Sequence, residues 1–144
     1  MGNFINSTIL IPLIPLVTAL FIFVLLVSFN RTLNRLTKPV SALMALSLLS
    51  SAFISSFDYF KKIEEELVLS KFLKYFEETN LVLHLNLVNE KIIIFFSLIM
   101  TLVIVLSFYK LPRKTGYVLL MISLGLISSS VMISILLIDF SALI

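Results

Sequence analysis

The sequence predicts an all-α integral membrane protein, a single domain over residues 1–144 with about four transmembrane helices. An amphipathic helix and a short strand are expected in its central loop. Three observations lead there. Of the residues, 60% are hydrophobic and only 13% charged, and mean hydropathy is +1.14. Soluble domains carry about 25% charged and about 45–50% apolar residues, so this chain has too little polar surface to coat a water-soluble globule. Four runs, at 9–29, 39–57, 92–109 and 115–138, contain no Asp, Glu, Lys, Arg or His. Each approaches the roughly 20 residues needed to cross about 30 Å of hydrocarbon at about 1.5 Å per residue. Finally, basic residues gather in short loops between the runs, where membrane topology puts them.

The spans must be helical, because lipid offers no partner to an unpaired backbone N–H or C=O. In the first, Pro12 and Pro15 lie near the start, where a missing donor costs least. Residues 1–30 hold no charge and are followed by Arg31, Arg35 and Lys38. A cleaved signal needs a positive n-region, so the run is expected to be an uncleaved anchor with its N-terminus outside. Pro39 opens the second span, which carries Ser47, Ser51 and Ser55 at intervals of four, with Ala45 and Ala52 nearby. The third span is dense in Ile, Leu and Phe, and Pro112 breaks the chain after it. The fourth carries Gly125 and Ser129, then Ser130 and Ser134, again four apart. Small residues at this spacing let helix backbones approach closely in lipid; hydroxyls bonding back to their own helix would give the same pattern. Such stripes could also build a homo-oligomer.

Charge sets the expected orientation. Loops 30–38 and 110–114 hold six basic residues and no acid, while the other side holds five basic residues and all eight acids. The positive-inside rule puts those two loops in the cytoplasm, with both termini and loop 58–91 extracytoplasmic or lumenal.

Loop 58–91 is too long to be a plain connector. Over 58–80, Phe60, Ile63, Leu67, Leu69, Leu73 and Phe76 recur at three- and four-residue steps, and Lys61, Lys62, Glu64, Glu65, Glu66, Lys71 and Lys74 fill the other faces. That periodicity predicts an amphipathic helix lying on the membrane or against a partner. The alternation Leu83-His84-Leu85-Asn86-Leu87 predicts a short strand.

The residues offer little chemistry. The absence of Cys excludes disulfides, thiolate metal sites and a Cys nucleophile. One histidine, His84, excludes any site needing two imidazoles. The only glycines, Gly2, Gly116 and Gly125, form no phosphate loop. The short basic clusters beside apolar runs argue against a nucleic-acid partner. Glu90, with Lys91 beside it, stands at the mouth of the third span, either as a proton-accepting carboxylate or as a solvated helix-start acid favoured by the dipole; the second reading is the expectation. His84 is expected to be an interfacial residue, and Asp139 to mark the chain's return to water. Ionisable groups at depth mark ion or proton paths, and none of the four runs holds one. No catalytic residue, cofactor or metal site is expected.

A set of short segments resembles the N-terminal region of the antiporter-like, proton-pumping subunit (chain 5 type) of NAD(P)H:quinone oxidoreductase, complex I, in its cyanobacterial and chloroplast form. These are Ile11-Pro12-Leu13-Ile14-Pro15-Leu16, Ser28-Phe29-Asn30 followed by Asn34, and Gly116-Tyr117-Val118 leading to Ser128-Ser129-Ser130. Their order and spacing run over nearly the whole chain. Family members usually have an aspartate at the mouth of the third span, where this chain has Glu90. The family's antiporter core, a Trp-Glu pair and then lysines on broken helices, lies beyond the matched region, and this chain has no tryptophan. The resemblance therefore implies a structural, accessory or remnant part of a plastoquinone-reducing complex in a plasma or thylakoid membrane, with other membrane subunits as partners and no pump activity of its own. The alternative is an unrelated four-helix membrane protein that self-associates.

Overall fold

The computed structural model describes residues 7–33, 35–61, 65–68, 82–111 and 116–138. The elements run α1 (Ser7–Ser28), α2 (Asn30–Leu33), α3 (Thr37–Lys61), β1 (Glu65–Val68), β2 (Val82–Leu85), α4 (Leu87–Lys110) and α5 (Tyr117–Leu137). Four of the helices are long and apolar enough to cross a membrane. They correspond to the four expected spans, with α3 and α4 each extending past the apolar run at the acidic end.

Tight backbone turns connect α1 to α3. Thr32 N–H donates to Phe29 O and Arg35 N–H to Thr32 O, both at 3.1 Å, winding the short α2 into the basic loop. Pro39 is the third residue of α3, where a helix has no use for its missing donor. In the bundle α3 packs on α1 and α4, and α5 packs chiefly on α1, with smaller contacts to both α3 and α4. One close approach depends on glycine. A Cβ at Gly125 of α5 would stand 2.5 Å from Met44 Cε and 3.0 Å from Ala19 Cβ, so any larger residue there must displace the Met44 side chain and crowd Ala19.

The bundle buries an apolar core with small hydroxylated residues interleaved, and its exposed surface is apolar where a soluble protein's would be polar. On α3 the inward face carries Thr37, Ser41, Ser47, Ser51 and Ser55, all buried, whereas Phe53 is 72% and Phe60 82% exposed. Several buried hydroxyls are satisfied within their own helix: Ser47 donates to Met44 O, Ser97 to Ile93 O and Thr101 to Ser97 O, at 2.7–2.8 Å. Back-bonding of this kind gives a polar side chain a partner without water. Small hydroxylated residues inside and Leu and Phe outside is the arrangement that lipid stabilises and water does not. The chain is an integral membrane protein.

The central loop departs from its expected form. Residues 58–61 simply continue α3. Glu65–Val68, expected within an amphipathic helix, instead forms β1 and pairs antiparallel with β2, Leu67 opposite Leu83 and Glu66 opposite His84. A ladder partner supplies the backbone bonds that helical periodicity alone had been credited with, and tertiary context overrides local pattern. The rest of the expected helix, 62–64 and 69–80, lies outside the described residues. The predicted strand exists one residue earlier than expected: Val82–Leu85 is β2, Asn86 is the residue before α4, and Leu87 already belongs to the helix. Its alternation reads as predicted, with Leu83 and Leu85 buried and His84 half-buried.

Candidate functional site

The most polar part of the described interior is the end of the bundle where α3 finishes, α4 begins, α5 finishes and β2 lies across them. Its organiser is Asn89, fully buried in the first turn of α4. The last carbonyls of a helix have no partner within it. Asn89 Nδ2 supplies one, donating to Ile138 O at 3.0 Å and Ile135 O at 3.3 Å at the end of α5, and to His84 O of β2 at 2.8 Å. One amide thus ties a helix end and a strand to the start of α4.

Beside it, Glu90 is also fully buried. Glu90 was expected to be a solvated acid at the helix start; the structure places it in the first turn of α4, as expected, but inside the protein, because α3 continues to Lys61 and β2 crosses the end of the bundle. Ser55 of α3 donates to Glu90 O at 3.3 Å, and Asp58, only 4% exposed, stands one turn beyond Ser55 on the same helix. Both carboxylate oxygens of Glu90, Oδ2 of Asp58 and Nδ1 of His84 are enclosed by protein. A carboxyl group taken out of water must be neutralised or matched by a partner, and the N-terminus of α4 places the positive end of a helix dipole at Glu90. Asp139 lies outside the described residues.

Chemically, this end can hold a proton or a local charge balance. The α1 and α5 sequences contain no Asp, Glu, Lys, Arg or His, and in α3 and α4 such residues occur only near the two helix ends. Between the ends the interior carries hydroxyls that already donate to helix carbonyls. Among the described residues no group of three or more His, Asp or Glu side chains could hold a metal ion.

At the opposite, basic end the buried polar contact is between Ser41 and Tyr117, with Oγ and Oη 2.9 Å apart. With the Ser41 proton directed to Thr37 O at 2.8 Å, the Tyr117 hydroxyl is the group left to donate to Ser41. The small-residue stripes divide between inside and outside: Gly125 and Ser129 are buried within the bundle, whereas Ser130 and Ser134 face outward.

The roles of Asn89, Asp58 and the enclosure of Glu90 were not legible beforehand. The one available signal was a polar pair, Asn89-Glu90, set directly against an apolar run, and a solvated helix cap gives the same signal. No protein-family model and no curated protein matches this chain.

Proposed function

We propose that this integral membrane protein is a structural or accessory component of a complex I-type NAD(P)H:quinone oxidoreductase, corresponding to the N-terminal bundle of its antiporter-like subunit and translocating no protons itself. The observation that carries the passive half of this reading is the bundle interior, where among the described residues Asp58 and Glu90 stand at one end and no Asp, Glu, Lys, Arg or His of the four long helices lies between the two ends. A proton relay across a membrane needs ionisable side chains at depth.

The quinone oxidoreductase half rests on the resemblance. Support for it comes from where the matched residues sit. Ile11 meets α3 through Ser51, Tyr117 bonds Ser41, and Ser128 and Ser129 are fully buried. Ile11, Tyr117, Ser128 and Ser129 of the matched segments thus lie buried within the bundle, as a shared bundle would require, whereas Phe29 and Ser130 face outward. In this reading loops 30–38 and 110–114 face the cytoplasm or stroma, the acidic end faces the lumen or exterior, and the outward Leu and Phe faces meet lipid and neighbouring subunits in a thylakoid or plasma membrane.

Purification of the tagged chain in mild detergent tests it. Other membrane subunits of the oxidoreductase should be recovered with it in constant ratio. Recovery of the chain by itself from membranes that contain an intact oxidoreductase would overturn the proposal.

A further inference from the structure

A groove opens between the start of α3 and the end of α4, at the basic end of the bundle and away from the Asn89 cluster. Its volume is about 230 Å3; Ala42 and Ala45 form one wall, Ile104, Val105 and Phe108 the other, and Lys38 stands at its mouth. The groove exists because two alanines present only methyl groups where the surrounding outward positions of α3 carry Leu. We propose that it is a binding site for one anionic phospholipid, with an acyl chain between α3 and α4 and the phosphate at Lys38.

Three observations select this occupant. The walls are almost entirely apolar, and a helix about 10 Å across cannot enter so small a cleft, whereas a single hydrocarbon chain can. The volume also falls below the roughly 300–1,000 Å3 of pockets that enclose drug-sized molecules. The mouth is cationic: Lys38 is exposed there, the other rim residue Tyr109 is followed by exposed Lys110, and loops 30–38 and 110–114 contain no acid to neutralise either. Lysines at helix ends extend toward the headgroup layer, and basic pockets between transmembrane helices attract anionic headgroups.

The test uses the purified full chain, delipidated in detergent and examined by native mass spectrometry with phosphatidylglycerol or phosphatidylcholine added. One phosphatidylglycerol should be retained in preference to phosphatidylcholine by about fivefold, the scale of one lysine near an anionic surface. Lys38→Gln should remove most of that preference and leave phosphatidylcholine retention unchanged. Ala42→Phe, which fills the groove from an exposed position, should reduce retention of both lipids. Lys61→Gln at the acidic end is the control and should change neither. Equal retention of the two lipids by the unaltered chain would overturn the proposal, as would an unchanged preference in Lys38→Gln or undiminished lipid retention in Ala42→Phe. Millimolar inorganic phosphate should not displace the lipid; displacement would indicate a free-anion site and overturn it too.

Discussion

The clearest energetic consequence of the fold lies at Pro15. A proline at position 15 has no N–H to give to the carbonyl four residues earlier, so Ile11 O loses its helical partner in a region with no water. Ser51 of α3 replaces it, its Oγ donating to Ile11 O at 2.7 Å, and both residues are fully buried. The contact to Ser47 O at 3.2 Å is the weaker of the two available to that proton. Ser51→Ala should therefore orphan a buried carbonyl. Leaving such a group unsatisfied costs about 1–3 kcal/mol in water-soluble proteins, and interhelical bonds in bilayers average about 0.6 with a maximum near 1.7. We expect a loss of about 1–2 kcal/mol.

The decisive measurement is a double-mutant cycle. Pro15→Ala restores an N–H aimed at Ile11 O, so in that background Ser51→Ala should cost less than about 0.5 kcal/mol, giving a coupling of about 1 kcal/mol. Unfolding of the purified chain in bicelles by steric trapping reads all four variants. Ser50→Ala removes a half-buried hydroxyl that bonds only within α3 and serves as the control, with a change below about 0.5 kcal/mol. An equal cost of Ser51→Ala in both backgrounds would refute the reasoning, because the serine would then be acting independently of the proline's missing donor.

Three further outcomes are expected. Asn89→Leu removes every bond that ties α5 and β2 to α4 through this side chain and should destabilise by about 2–4 kcal/mol; protease susceptibility of the central loop should rise, and resistance equal to that of the unaltered chain would contradict the organising role. Gly125→Leu drives a side chain into Met44 and should cost at least about 1–3 kcal/mol, partly restored by Met44→Ala in the same unfolding assay; no restoration would mean the backbone, not Met44, is the obstacle. Tyr117→Phe deletes the donor to Ser41 while Ser41 keeps its own acceptor, so the loss should be only about 1 kcal/mol, and a loss above about 3 kcal/mol would show that the hydroxyl holds more than this one bond.

Much of the architecture was readable because transmembrane helices are set by length and hydropathy, both properties of contiguous sequence. The four spans and the alternation of β2 have local signals, whereas Pro15, read from sequence as part of the helix entry, is the ninth residue of α1 and leaves a carbonyl inside the helix without its donor. What escaped depends on partners distant in the chain. Phe60, Ile63 and Leu67 recur as a helix would have them, and only the nearby edge of β2 explains why Glu65–Val68 is a strand instead. Glu90 has the same local sequence whether water or a strand lies above it. The four-residue spacing of Gly125–Ser129 and Ser130–Ser134 reveals stripes but not their direction, and the first pair faces α1 and α3 while the second faces out.

The two ends of the bundle follow opposite strategies, and the contrast bears on what each can meet. At the acidic end the polar groups are covered: Asn89 spends its amide on main-chain carbonyls, Glu90 and Asp58 are enclosed, and a two-stranded ladder lies there. At the basic end Arg31, Arg35 and Lys110 remain exposed, and Lys38 lines an open apolar groove. Covered acids contribute to rigidity and offer little to an incoming ligand, whereas exposed cations beside an apolar cleft attract anionic amphiphiles. With the proposed lipid site, binding would be concentrated at the basic end, the end that the positive-inside rule would set against the cytoplasmic leaflet and its anionic lipids. A single charge asymmetry would then serve both to orient the chain during insertion and to hold lipid once the bundle has formed.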